Sequence, residues 1–257
     1  MGGNIPCNTI PAFEASLKQG ADMIEIDIEM SMDGKLYVFH PGKERDHLFF
    51  NGSLRRMTSD EIAGLRYANY DNLSTQFPIN TLEEVLETFK GRCFINVDKF
   101  WSHPKEIYDT IKRYGMIDQT IVKSSPTDKG FEILKELAPD IPYFAVVSGS
   151  HPLHEVLMNS NVNYVGVEVN FKQEDSEVAS HEFIEKMHHD GKLVWANAIV
   201  FDYKRQLAAG HSDDTAICGD PEKGWGWLAR RGFDLIQTDW TGMLVQYLKE
   251  QDLYYKK

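Results

Sequence analysis

Glu25 and Asp27 stand two residues apart in the run Met23–Met30, MIEIDIEM. They are the residues whose type and spacing point most directly to chemistry. Ile24, Ile26 and Ile28 alternate with Glu25, Asp27 and Glu29, which is the period of a β-strand. Side chains two apart on a strand share a face, so the two carboxylates lie side by side. Like charges at that spacing repel unless something positive sits between them. A divalent cation held by oxygen ligands is one solution; a solvated pair on a surface strand is the other. Ser31-Met32-Asp33-Gly34 follows as a hairpin-like turn, with Asp-Gly its strongest signal. Lys35–Phe39 is the next predicted strand, and His40 stands at its end. A histidine there, beside a bound metal, is placed for proton transfer; without one it is a surface residue.

The elements that must hold these groups read as one repeating unit. A helix over Thr9–Gln19, with Thr9 as cap and Gly20 as stop, precedes the first strand. Residues 41–58 read as a polar loop whose His47, Leu48, Phe49 and Phe50 pack over a site or against the body. Short helices follow at Ser59–Leu65 and Thr81–Phe89, the latter opened by the capping box Thr81-Leu82-Glu83-Glu84. From Cys93 onward apolar strands alternate with amphipathic helices, the sign of βα units and a parallel sheet. Strands are predicted to begin near Met23, Lys35, Cys93, Thr120, Tyr143, Tyr164, Leu193 and Leu235. Eight strands at this spacing predict an α/β fold of the (β/α)8 TIM-barrel type. The link between the first two strands is too short for a crossover helix, so those two cannot be parallel neighbours. No linker divides residues 1–257, which predicts a single domain.

Composition narrows the partners. The chain has 257 residues, is 42% hydrophobic and carries a net charge of −12. That charge argues against nucleic acid or an anionic membrane as partner, but not against a small anion beside a metal. Cys7, Cys93 and Cys218 lie far apart and read as free thiols of a reducing, cytoplasmic setting. No apolar run is long enough to span a bilayer, so no membrane insertion is expected.

Several short segments, taken in order, resemble the glycerophosphodiester phosphodiesterases. They are Pro6-Cys7-Asn8-Thr9, Gly20-Ala21-Asp22, Glu25-Ile26-Asp27, Asp33-Gly34 and His40. Further on come Thr81-Leu82-Glu83-Glu84, Asn96-Val97-Asp98, Val194-Trp195-Ala196-Asn197 and Gly232–Asp239. The resemblance covers nearly the whole chain and implies a barrel-shaped, metal-dependent hydrolase. Such an enzyme cleaves glycerophosphodiesters to glycerol 3-phosphate and an alcohol. It implies Asp98 as third ligand beside Glu25 and Asp27, holding one Mg²⁺ or Ca²⁺, with His40 as an acid/base residue. Two departures stand out. The family's opening His-Arg-Gly strand, with a second acid/base histidine, is not represented, which reads as a late start or a truncation. Cys7 replaces a usual glutamate. With that strand absent, the strands starting near Met23 and Leu235 are expected to expose one side each.

Four further residues are candidate substrate contacts. Lys123 could meet phosphate as a point charge or simply reach solvent. Glu168, inside the apolar strand Tyr164–Val169, needs a partner: either the site or a structural ion pair. Trp195 and Asn197 share a strand face and would shape the glycerol end, unless Trp195 is plain core. Two other readings stay open. One is a relative that binds metal or phosphodiester without turnover. The other is a phospholipase-like lyase that forms a cyclic phosphate.

Overall fold

The structure is a computed structural model and describes residues 5–126, 129–200, 204 and 207–255. It divides into two compact units, one up to Val122 and one from Lys123 onward.

In the first unit, α1 (Ile10–Lys18) is capped by Thr9, whose Oγ1 accepts from the Ala12 N–H. Gly20 then turns the chain at φ 103°, a conformation that favours glycine. Strand β1 (Met23–Met30) pairs antiparallel with β2 (Leu36–Val38) through Ile28–Met30 and parallel with β3 (Phe94–Asp98) through Met23–Asp27. β3 in turn pairs parallel with β4 (Thr120–Ser124). Ile24, Ile26 and Ile28 are buried, as are Asp27 and Glu29 on the opposite side. The alternation therefore belongs to a strand covered on both faces, not to a surface strand. α4 (Leu82–Phe89) and α5 (Pro104–Arg113) make the connections between these strands. α4 starts in the expected capping box of Thr81 and Glu84 and buries Leu82, Val85, Leu86 and Phe89, one stripe of a helix.

The expected polar loop after His40 is more ordered than its sequence suggests. It contains α2 (Glu44–Leu48) and a 3₁₀ turn at Leu54–Arg56; α3 (Ser59–Ala63) then follows where a short helix was expected. The loop's apolar residues make a small core of their own. Tyr37, Phe39, Leu48, Leu54, Ile62, Tyr67 and Ile79 pack together, with Phe50, Met57, Leu65 and Phe77 against them.

The second unit repeats βα. Strands β5 (Tyr143–Ser148), β6 (Tyr164–Asn170), β7 (Leu193–Asn197) and β8 (Leu235–Gln237) pair parallel in that order. α6 (Lys129–Leu137), α7 (His154–Met158) and α8 (His181–His189) alternate with the strands before β7. Between β7 and β8 lie α9 (Asp213–Cys218), a π-turn at Glu222–Gly226 and α10 (Trp227–Arg231). The π-turn packs closely: a Cβ on Gly224 would lie 2.7 Å from that of Ala216. α11 (Thr241–Glu250) is the last helix. None of the three cysteines is in a disulfide among the described residues. No helix among the described residues is long and apolar enough to cross a membrane.

Candidate functional site

Register brings the acidic residues together. β1 and β3 pair with Glu25 opposite Asn96 and Asp27 opposite Asp98. Opposed residues of parallel neighbours share a face, so two carboxylates from β1 and one from β3 converge. One ligand oxygen from each of Glu25, Asp27 and Asp98 lies within 4.8 Å of the others. Asn96, on the same face, is fully buried, and neither atom of its amide has a hydrogen-bond partner. A donor set of three carboxylates beside an unsatisfied amide suits a hard divalent cation such as Mg²⁺ or Ca²⁺ better than zinc.

Asp27 is held in place from two sides. The Asn8 side chain accepts from the Asp27 N–H at 3.2 Å and donates to Asp27 Oδ2 at 2.9 Å. The Asp27 carbonyl accepts from the Phe39 N–H at 2.9 Å. A side-chain amide thus takes the place of a neighbouring strand at this point of β1, where an open edge was expected. At the other expected edge, β8 is partly exposed along its length.

The Phe39–Asp27 bond also brings the end of β2 against the acidic strand. His40 follows directly, and its Nδ1 lies 2.9 Å from the Pro41 carbonyl. A carbonyl only accepts, so Nδ1 carries the proton and Nε2 is the nitrogen left for chemistry. Glu29, two residues beyond Asp27, accepts from Arg55 Nε and Nη2 at 3.1 and 2.8 Å. His103 Nε2 lies 3.7 Å from the other Glu29 oxygen.

Lys99 also belongs to this cluster, although no sequence pattern marks it. Its ammonium donates to Asp98 Oδ2 and lies 3.6 Å from Asp27 Oδ1. Adjacent residues on a strand point to opposite faces. Lys99, however, has a left-handed backbone, φ 61°, which turns it back toward Asp98. Burial opposes its charge. The hydrogen bond to Asp98 and the charges of Asp98, Asp27 and Glu25 outweigh that and hold its pKa above the ordinary lysine value.

The four other predicted contacts meet in the second unit. Glu168 lies opposite Trp195 across β6 and β7. Lys123 Nζ donates to Glu168 Oε2 and lies 4.4 Å from the centroid of the Trp195 ring. Asn197 Nδ2 donates to the other Glu168 oxygen at 2.8 Å. The partner that Glu168 required is therefore a buried ion pair with Lys123. Trp195 Nε1, Asn197 Oδ1 and Asn170 Oδ1 are buried without partners, one donor and two acceptors of the kind that match hydroxyl groups.

Comparison with known proteins follows the same lines. A glycerophosphodiester phosphodiesterase of Bacillus altitudinis is 30% identical over 132 residues, covering 48% of this chain and 54% of that protein. Over that stretch the chain is similar to the glycerophosphodiester phosphodiesterases. It spans between half and two thirds of the length of four curated relatives that it matches. The crystal structure of a glycerophosphoryl diester phosphodiesterase from Parabacteroides distasonis superposes with a TM-score of 0.78 at 18% identity, over 97% of this chain and 83% of that one. An Oleispira antarctica phosphodiesterase, solved with the product sn-glycerol-3-phosphate, gives a TM-score of 0.68 at 18% identity, over 96% and 93%. These likenesses show a TIM-type α/β fold. A family model, DUF4996, a domain of unknown function, matches residues 143–248.

Proposed function

We propose that this chain is a single glycerophosphodiester phosphodiesterase-like domain, a metal-dependent phosphoric diester hydrolase of the cytoplasm. Its substrate is a glycerophosphodiester, cleaved to glycerol 3-phosphate and an alcohol. The observation that carries the reading is the in-register convergence of Glu25, Asp27 and Asp98 on one face, beside the end of β2, two residues before His40. The product seen in the Oleispira antarctica structure supports the substrate class.

Glu25, Asp27 and Asp98 would hold one Mg²⁺ or Ca²⁺. When bound, that cation neutralises phosphate charge and so lowers the barrier to attack by an oxygen nucleophile. Asn8 and the Phe39 N–H keep Asp27 oriented. His40, with Nδ1 committed to Pro41, handles one of the two proton transfers through Nε2. Lys123, Glu168, Trp195 and Asn197 are proposed as substrate-binding residues. Lys123 supplies positive charge, and the orphaned polar atoms of Trp195 and Asn197 match hydroxyls.

Lys99 favours a second reading, a relative that binds without turnover, because an ammonium already neutralises part of the carboxylate cluster. Incubation with glycerophosphocholine, with and without EDTA, separates the two. Release of glycerol 3-phosphate that EDTA and Glu25→Gln both abolish is expected. A cyclic phosphate product would assign the chain to the lyases instead. Binding of glycerophosphocholine with no product would leave the non-catalytic reading standing.

A further inference from the structure

A cleft of about 620 Å³ opens within the second unit. Its walls include Glu174, His211, Lys223, Trp227, Arg230 and Arg231, and none of the residues assigned above to metal, substrate or proton transfer lines it. All six fall inside residues 143–248, the segment that matches the domain of unknown function.

The wall is built around Trp227. The His211 ring stacks on it at 3.8 Å with an interplanar angle of 5°, and the Arg231 guanidinium carbon lies 4.5 Å from the ring centroid. Two of the basic side chains already have acidic partners. His211 Nε2 lies 3.1 Å from Glu174 Oε1, and Arg230 Nε donates to Glu222 Oε1 at 2.7 Å. Among the described residues, Lys223 and Arg231 have no such partner. Arg231 Nη2 makes one long bond, 3.4 Å, to the Glu174 carbonyl. Its Nε–H is buried with no hydrogen-bond partner at all. A buried N–H without an acceptor is costly and calls for an explanation. In a chain of net charge −12, two unneutralised cations lining one cleft run against the general surface.

We propose that this cleft binds a small dianion of the phosphate-monoester class. The Arg231 Nε–H and Nη groups offer the planar fork that phosphate oxygens accept in pairs, and Lys223 adds a point charge. The site uses different residues from the carboxylate cluster and needs no divalent cation, so it stands or falls separately from the reaction proposed above.

Calorimetric titration of the full chain with inorganic phosphate, in EDTA, tests it. One phosphate should bind per chain. Arg231→Gln should weaken binding by at least about tenfold, the loss expected for a charge-assisted hydrogen bond, and exposed Lys223→Met should weaken it several-fold. Lys123→Met, in the proposed substrate site, should leave phosphate affinity unchanged. Should Arg231→Gln fail to fold, Lys223→Met carries the decision. The proposal is overturned if wild type binds no phosphate, or if Lys223→Met binds as well as wild type. It is equally overturned if Lys123→Met alone abolishes binding, or if succinate binds as tightly as phosphate.

Discussion

Replacing Lys99 by Met removes the ammonium that sits beside Asp27 and Asp98. At the 3.6 Å separating Lys99 Nζ from Asp27 Oδ1, two unit charges interact by roughly 4–5 kcal/mol at an effective dielectric of 20. Lys99 and Asp98 retain 35% and 39% side-chain exposure, so screening lowers the useful part to about 1 kcal/mol per carboxylate. Relief of the lysine's own burial cost offsets some of this. Without metal, Lys99→Met should therefore be less stable by about 1–3 kcal/mol, or roughly 2–10 °C in Tm for a chain of this size. With divalent cation the sign reverses, because the cation no longer competes with an internal charge. Affinity for Ca²⁺ or Mg²⁺ should rise by about tenfold or more, and the Tm gained on adding either ion should exceed that of wild type. Thermal melts in EDTA and in excess CaCl₂, with calorimetric titration of each ion, measure both effects. Lys99→Arg keeps the charge and should show neither. Equal Ca²⁺ affinity and equal Tm in EDTA for Lys99→Met and wild type would refute the idea that Lys99 stands in for a cation.

Asn8→Gly tolerates the left-handed backbone at that position, φ 57°, and isolates the side chain. Leaving the buried Asp27 N–H unsatisfied should cost about 1–3 kcal/mol in urea denaturation. Gly166→Ala would place a Cβ 2.3 Å from the Leu193 carbonyl oxygen and 2.6 Å from Phe144 Cε1. The resulting overpacking should cost about 1–3 kcal/mol or more in the same assay. The buried His151 ring bonds to Tyr164; burial, then the neighbouring His154, depresses its pKa from 6.5 to about 4. A base whose folded pKa is depressed contributes stability above its unfolded pKa and loses it as pH falls toward the folded one. Wild type should thus lose up to roughly 3 kcal/mol between pH 6.5 and 4 from this group. His151→Gln should remove that part of the slope in denaturation curves taken at several pH values.

The strands were legible in the sequence because β1 alternates apolar and acidic residues and the others are mostly short apolar runs between turn residues. The capped helices were legible because Thr9 and Thr81 are type-specific signals that the structure uses as caps. α2 was not legible. It has five residues, no side-chain cap and Phe49 rather than glycine in the left-handed position at its end. Buried Glu44 accepts from the Leu54 N–H at 3.1 Å and ties the helix to the turn that follows, a contact no local pattern encodes. The π-turn before α10 likewise depends on glycines 224 and 226 lying against Ala216 and Tyr247. Within the candidate site, Glu25 and Asp27 announce their shared face by spacing alone. Asp98 needs the register of β3 against β1 to join them, which came from family resemblance. Lys99 needs a left-handed residue at a strand end, and a lysine carries no sequence signal for that conformation.

The small core formed by Tyr37, Phe39, Leu48, Leu54, Ile62, Tyr67 and Ile79 separates two stabilities within one chain. β1 and β3 are held by a parallel ladder of five paired residues, whereas β2 joins β1 through three. Segments with fewer buried contacts open locally at lower free energy than the sheet that supports them. Phe39 is a member of the small core, and His40 follows it. The carboxylates of Glu25, Asp27 and Asp98 are thus fixed by the ladder, while His40, the proposed acid/base residue, rides on a layer that can breathe on its own. A cavity made at Leu54 or Ile62 would loosen His40 without moving Glu25, Asp27 or Asp98. Native-state amide exchange would show that opening at residues 36–40 well before β3 gives up its protons.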